Sequence, residues 1–289
     1  MSEVNGDIDR CPNCSAVLSG KYCSVCGEKK FSHHDLSLAH FLEEALDLFT
    51  HFDTRFFRSF KTVLVKPGEM TVDFLHGKRQ PYMKPLQFFL IVNVIYFLVI
   101  ASGFGFNTFT TPLKIHLGQH HFYRDWAKAK VDHQLAVKKI TYEAYEEAFD
   151  HKTNLLSKSL IIVFIPVYAL LFQFFFIHKK RYFTEHIITA THFMTFFMLL
   201  LMLIVPLFVL IFSLIKRVFP ELGAYIMSDN FISIIITIIV GMYLFRMFRR
   251  VYVTANWYGL ALAVLISLNF YGLIWLYRGL LFFVTYQNV

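Results

Sequence analysis

Ile187–Phe212 reads IITATHFMTFFMLLLMLIVPLFVLIF, 26 residues without a single Asp, Glu, Lys or Arg. The hydrocarbon core of a bilayer needs about 20 consecutive apolar residues in a helix, and this run exceeds that length. Pro206 lies inside it, where a membrane tolerates a kink better than water does. Working outward, four more runs have the same character: residues 86–103, 160–177, 231–248 and 257–277, the second with Pro166 inside it. The expected fold is an all-α polytopic membrane protein of about five transmembrane helices.

Composition agrees with this reading. The 289 residues are 56% hydrophobic, 18% aromatic and 17% charged, with mean hydropathy +0.50. A soluble domain averages roughly 45–50% apolar and about 25% charged residues. High apolar content excludes a disordered chain, and the long apolar runs exclude a single soluble domain. Lys plus Arg number 28 against 20 Asp plus Glu, a net charge of +8. These cations stand beside the apolar runs, as in Lys179-Lys180-Arg181 and at Arg246, Arg249 and Arg250. That is the distribution of a membrane protein facing an anionic leaflet, and no nucleic-acid partner is expected.

The four cysteines all fall early: Cys11, Cys14, Cys23 and Cys26, two C-x-x-C pairs. Each pair offers two thiolates to one ion, and two such knuckles close a tetrahedral sulfur site, the geometry of structural zinc. Residues 1–30 are therefore expected to form a small zinc ribbon holding one Zn2+. Four ligands leave no open position for a catalytic water. Unliganded or redox-active thiols are the competing reading. Reduced thiols imply a cytosolic N-terminus, and the polar, acidic first residues lack the pattern of a cleavable signal peptide.

Residues 31–82 read as amphipathic interfacial helices. Leu38, Phe41, Leu42, Ala45, Phe49 and Phe52 recur at helical spacing behind Asp35 as N-cap. A second helix from about Asp53 places Phe56, Phe57, Phe60, Val63 and Leu64 on its apolar face and ends at Lys66-Pro67-Gly68. A third runs to His76, with Gly77 past its end. Lys78, Arg79, Tyr82 and Lys84 are candidate contacts for lipid headgroups, with Pro81 and Pro85 turning the chain into the first span. An interfacial anchor without a dedicated lipid site is the simpler alternative.

Residues 83–289 form the expected membrane domain. The basic clusters at 78–84, 179–181 and 246–250 share one side if the chain crosses five times, which puts the N-terminus in the cytosol and the C-terminus outside. Residues 107–156 then form an extracytoplasmic loop. Phe122–His151 is expected to be one helix supported by a Lys139–Glu143 pair. In the third span Glu185, Thr189 and His192 share a face, with His186 beside it. A carboxylate and an imidazole on one stripe can relay a proton or hold an ion, or can simply hydrogen-bond neighbouring helices.

The series Lys66-Pro67-Gly68, Gly77-Lys78-Arg79-Gln80-Pro81-Tyr82 and Pro85-Leu86-Gln87-Phe88, behind the cysteine knuckles, resembles a family of bacterial membrane proteins classed as domain of unknown function 3667. Over the later spans, Glu185-His186, His192 and Arg249-Arg250-Val251-Tyr252 resemble it more loosely. The resemblance implies a bacterial inner-membrane protein and brings no reaction with it. No phosphate-binding, nucleophile-elbow or metalloprotease signature occurs in the sequence. The expectation is a non-enzymatic scaffold, sensor or assembly component. Its zinc module docks a cytosolic protein, its spans contact membrane lipids, and self-association is left open. The alternative is a transporter, channel or lipid-moving protein using the Glu185/Thr189/His192 stripe.

Overall fold

The computed structural model describes residues 10–28, 30, 54–103, 107–118, 122–218, 221 and 228–289. The amphipathic helix expected over residues 38–52 lies outside the described residues. Among these residues the chain is mostly helical, and Arg10 pairs with Val17 in an isolated antiparallel bridge. The helices are α1 (Thr54–Val65), α2 (Glu69–Leu75), α3 (Pro85–Ala101), α4 (Leu113–Gly118), α5 (Arg124–Lys138), α6 (Tyr142–Leu160), α7 (Phe164–Phe176), α8 (Phe183–Leu199), α9 (Val205–Val218), α10 (Asp229–Val251) and α11 (Asn256–Gln287).

Among the described residues four helical runs are long and apolar enough to cross a membrane: Tyr142–Lys179, Phe183–Arg217, Asn230–Val251 and Asn256–Gln287. The chain is a multi-pass membrane protein. The apolar α3 is shorter, with 17 residues. At 1.5 Å per residue it reaches about 26 Å, the low end of what spans a bilayer.

Both intramembrane prolines leave a local signature. Proline lacks the amide proton that a helix needs and crowds the carbonyl four residues earlier. Before Pro166 the helix tightens into a 3-10 turn at Ile161–Val163, and before Pro206 it widens into a π turn at Leu200–Ile204. Each run continues through its proline, because the helix adjusts locally instead of ending.

The long loop departs from expectation in one respect. Phe122–His151 is not one helix, because Lys139 adopts a left-handed conformation (φ 53°) that ends α5. A new helix then starts at Tyr142, where the Thr141 hydroxyl caps the Ala144 amide. Lys139 and Glu143 therefore lie on different helices and cannot form an i, i+4 pair. Phe57 is a second departure. It is 71% exposed, and α1 turns Ser59 and Thr62 inward together with the expected Val63.

The chain divides into two compact units. The first comprises Met1–Asn93, Ile165–Leu199 and Met242–Ala263, and its centre is α8. Every α8 residue from Thr184 to Leu199 is buried, so this helix is enclosed on all faces. The second comprises Val94–Phe164, Leu200–Gly241 and Val264–Val289. There the loop helices α4, α5 and α6 close around the far end of α11. Leu113, Tyr123, Val131, Tyr145 and Phe149 pack with Phe282. The Asp150 carboxylate accepts from the Leu113 amide at 2.7 Å, and Thr153 donates to Thr285 at 3.2 Å.

Candidate metal centre and the segment it holds

The cysteines lie on two turns built alike, twelve residues apart. In the first, the Cys11 amide donates to Ala16 O and the Ser15 amide to Cys11 O, both at 2.8 Å. In the second, the Cys23 amide donates to Glu28 O at 2.7 Å and the Gly27 amide to Cys23 O at 2.8 Å. Each turn closes on a left-handed residue just after its second cysteine, Ser15 (φ 62°) and Gly27 (φ 73°). This short structural repeat is carried by hydrogen bonds more than by matching side chains.

The four Sγ atoms lie within 4.8 Å of one another, with Cys11–Cys26 and Cys14–Cys23 each at 3.5 Å. A disulfide would need about 2.05 Å. Four thiolates about 2.3 Å from a zinc ion stand about 3.8 Å apart, close to the separations seen. The residues fit a tetrahedral ion. The amides of Cys26 and Val25 hold the Cys23 thiol down at about 7, whereas the crowding of Cys26, Cys23 and Cys11 pushes the Cys14 thiol up to about 12. The arrangement offers four ligands that could hold one metal ion.

The residue after the second turn joins this module to the rest of the first unit. Glu28 is 3% exposed. Its carboxylate Oε2 accepts from the backbone amides of Arg79 at 3.0 Å and Gln80 at 2.8 Å. Gln80 returns the contact, its Nε2 donating to Gly27 O at 3.1 Å, and Arg55 of α1 donates to Gln80 Oε1 at 2.8 Å. Hydrogen bonds to a charged acceptor are each worth about 1.5–3 kcal/mol, so this is a firm attachment. The cysteine module is hydrogen-bonded to the stretch that leads into the apolar helix α3.

The basic and aromatic residues of that stretch have partners within the chain. Lys78 Nζ lies 3.5 Å from Asp73, and the Arg79 guanidinium sits 4.6 Å over the Phe74 ring. Tyr82 is buried and donates to Asp73 at 2.9 Å, with burial and that carboxylate pushing its hydroxyl up to about 12. Lys84 is half-buried at the start of α3, where its carbonyl accepts from the Phe88 amide. One turn earlier, Arg250 of α10 donates to Pro67 O at 3.1 Å and stands 3.6 Å from Glu69. Gly68 takes φ +79° there, and a Cβ on it would lie 3.2 Å from the Met247 backbone. Only glycine lets this turn lie so close to α10.

The polar residues of α8 each find a separate partner. Glu185 pairs with Arg181 at 2.6 Å and also accepts from the Tyr182 amide. His186 shares a 2.8 Å hydrogen bond with the Tyr252 hydroxyl, and the Thr189 hydroxyl bonds back to Glu185 O. His192 Nδ1 meets the Thr71 hydroxyl of α2 at 2.8 Å. Among the side-chain polar atoms of Glu185, Thr189 and His192, only His192 Nε2 lacks a partner. Burying such groups is tolerable when they are paired, and apart from His192 Nε2 that is the pattern of these three residues.

Reading the sequence missed Glu28, Thr71 and the role of Gln80. Gln80 stands inside the Gly77–Tyr82 pattern, but nothing in its spacing showed a partner fifty residues away. Residues 53–97 match the family described as "Protein of unknown function (DUF3667)". The match covers α1, α2 and most of α3, while the cysteine module and the later helices lie outside it. No curated protein and no solved structure matches the chain.

Proposed function

We propose that this chain is a non-enzymatic component of the bacterial inner membrane. It crosses five times, with α3 as the first span, its N-terminus in the cytosol and its C-terminus outside. Its cysteine module binds one structural Zn2+ and serves as a latch on the segment that leads into the membrane. The observation that carries this reading is the buried Glu28 carboxylate accepting both the Arg79 and Gln80 amides. The outer surface of the same module leaves Val17, Tyr22 and Val25 exposed, as a face for a cytosolic protein partner. Scaffolding, sensing or assembly is then the role, with the latch relaying the state of the module to the spans. The transporter alternative draws less support from the stripe, because Glu185, Thr189 and His192 Nδ1 each bond within the chain, and His192 Nε2 alone of their side-chain polar atoms has no partner.

The latch is tested by Glu28→Ala in the full chain, reconstituted in nanodiscs. Losing two charge-assisted hydrogen bonds shifts local opening by more than the 1.4 kcal/mol that makes a factor of ten. Trypsin is expected to cut after Arg79 at least about tenfold faster, while bound zinc stays unchanged. Equal cleavage rates in the two proteins would remove the latch from the account.

A further inference from the structure

A separate recess of about 340 Å³ opens in the first unit, lined by His178, Lys179, Thr254, Ala255, Trp257 and Tyr258. None of these residues belongs to the metal module or to the segment it holds. The volume is at the low end for small-molecule sites. Its place in the fold is informative. Tyr258 donates to Phe175 O at 2.7 Å, so the recess lies where one candidate span ends and another begins. Trp257 is 74% exposed, an amphipathic ring at the edge of an apolar helix, as in the aromatic belts of membrane proteins.

The electrostatics favour an anion. The recess sits at the N-terminus of α11, whose first amides have no carbonyl one turn back to accept them. No acidic residue stands in that first turn. A helix N-terminus attracts phosphate and carboxylate groups. Here two side chains on the opposite wall, His178 and Lys179, supply the counterpart. Lys179 is fixed by donating to Val253 O at 3.2 Å, and the His178 ring packs 5.8 Å from that of Tyr258. The Thr254 hydroxyl oxygen is shielded from solvent and has no hydrogen-bond partner, and Gly259 makes room for it.

From this geometry we infer that the recess is a binding site for the phosphate group of an anionic phospholipid, clamped between Lys179, His178 and the start of α11, with the acyl chains running down past Trp257. The glycerol phosphate enters the recess, and the aromatic pair marks headgroup depth.

The test uses the purified full chain in detergent, titrated with dioleoylphosphatidylglycerol or dioleoylphosphatidylcholine and read by native mass spectrometry. Phosphatidylglycerol is expected to be retained about tenfold better than the zwitterionic lipid. The double variant His178→Gln, Lys179→Gln removes the Lys179 charge and the imidazole but keeps a donor for Val253 O, and it is expected to abolish that preference. Lys130→Gln, an exposed charge elsewhere, leaves it unchanged. Inorganic phosphate and glycerol 3-phosphate in hundredfold excess separate the sources. If neither displaces the lipid, the lipid is the ligand. If either does, the recess reads a phosphate from solution and the lipid assignment fails. Equal retention of the two lipids, or a double variant that binds like the parent, overturns the site altogether.

Discussion

Cys11→Ser with Cys14→Ser is expected to take the purified protein from about one zinc per chain, the content proposed for it, to none, since two thiolates cannot close a four-ligand site. Zinc contributes about 10–16 kcal/mol to the folding of small zinc modules, so residues 11–28 come apart when it is lost. Glu28 is then no longer held at Arg79 and Gln80. Trypsin is expected to cut after Arg79 as it does in Glu28→Ala, or faster. The helices are not expected to unfold, because α8 and its neighbours are packed by their own side chains. Metal analysis and far-ultraviolet circular dichroism on one sample check both halves. Full zinc content in the double serine variant, or loss of helix along with the metal, contradicts the site as described.

Gly68→Ala is the second large effect. An L-residue at φ +79° costs about 1–2 kcal/mol in backbone strain. The added Cβ also meets Met247 Cα and O at 3.2 Å and Val251 Cγ2 at 3.3 Å. Backbone cannot move aside as a side-chain tip can, so the turn must lift from α10. Overpacking of this kind costs a further 1–3 kcal/mol or so. The Arg250–Pro67 hydrogen bond is lost with it. Gly103 supplies the control: its φ is +80°, yet nothing lies within 4 Å of an added Cβ. Gly103→Ala is expected to show the strain alone. Thermal unfolding in detergent should therefore drop clearly more for Gly68→Ala than for Gly103→Ala. Equal losses would mean that the close approach to α10 contributes nothing.

Much of this architecture is legible in the chain because lipid imposes a crude rule. Ile187–Phe212 has the length and the absence of charge that a bilayer requires, and it forms part of one helical run from Phe183. Lys66-Pro67-Gly68 ends α1 because proline and glycine act locally, whatever surrounds them. The four cysteines announce their site by ligand chemistry alone. What stayed hidden depends on residues far apart in sequence. The Thr71–His192 bond joins positions 121 residues apart, and Glu28 reaches across 52 residues to Gln80. No periodicity encodes such pairs. The break at Lys139 was invisible for a different reason: lysine is a good helix former, so its left-handed φ leaves no mark in local propensity.

The helix α3 decides the topology. Its 17 residues are apolar throughout but shorter than the four long runs. If it spans, the count is five and the two ends of the chain lie on opposite faces. If it does not, the count is four and they lie together. Fusing a green fluorescent protein, bright only in the cytosol, and an alkaline phosphatase, active only outside, to each end in turn reads this directly. The account predicts fluorescence from the N-terminal fusion and phosphatase activity from the C-terminal one. The same signal from both ends would contradict it.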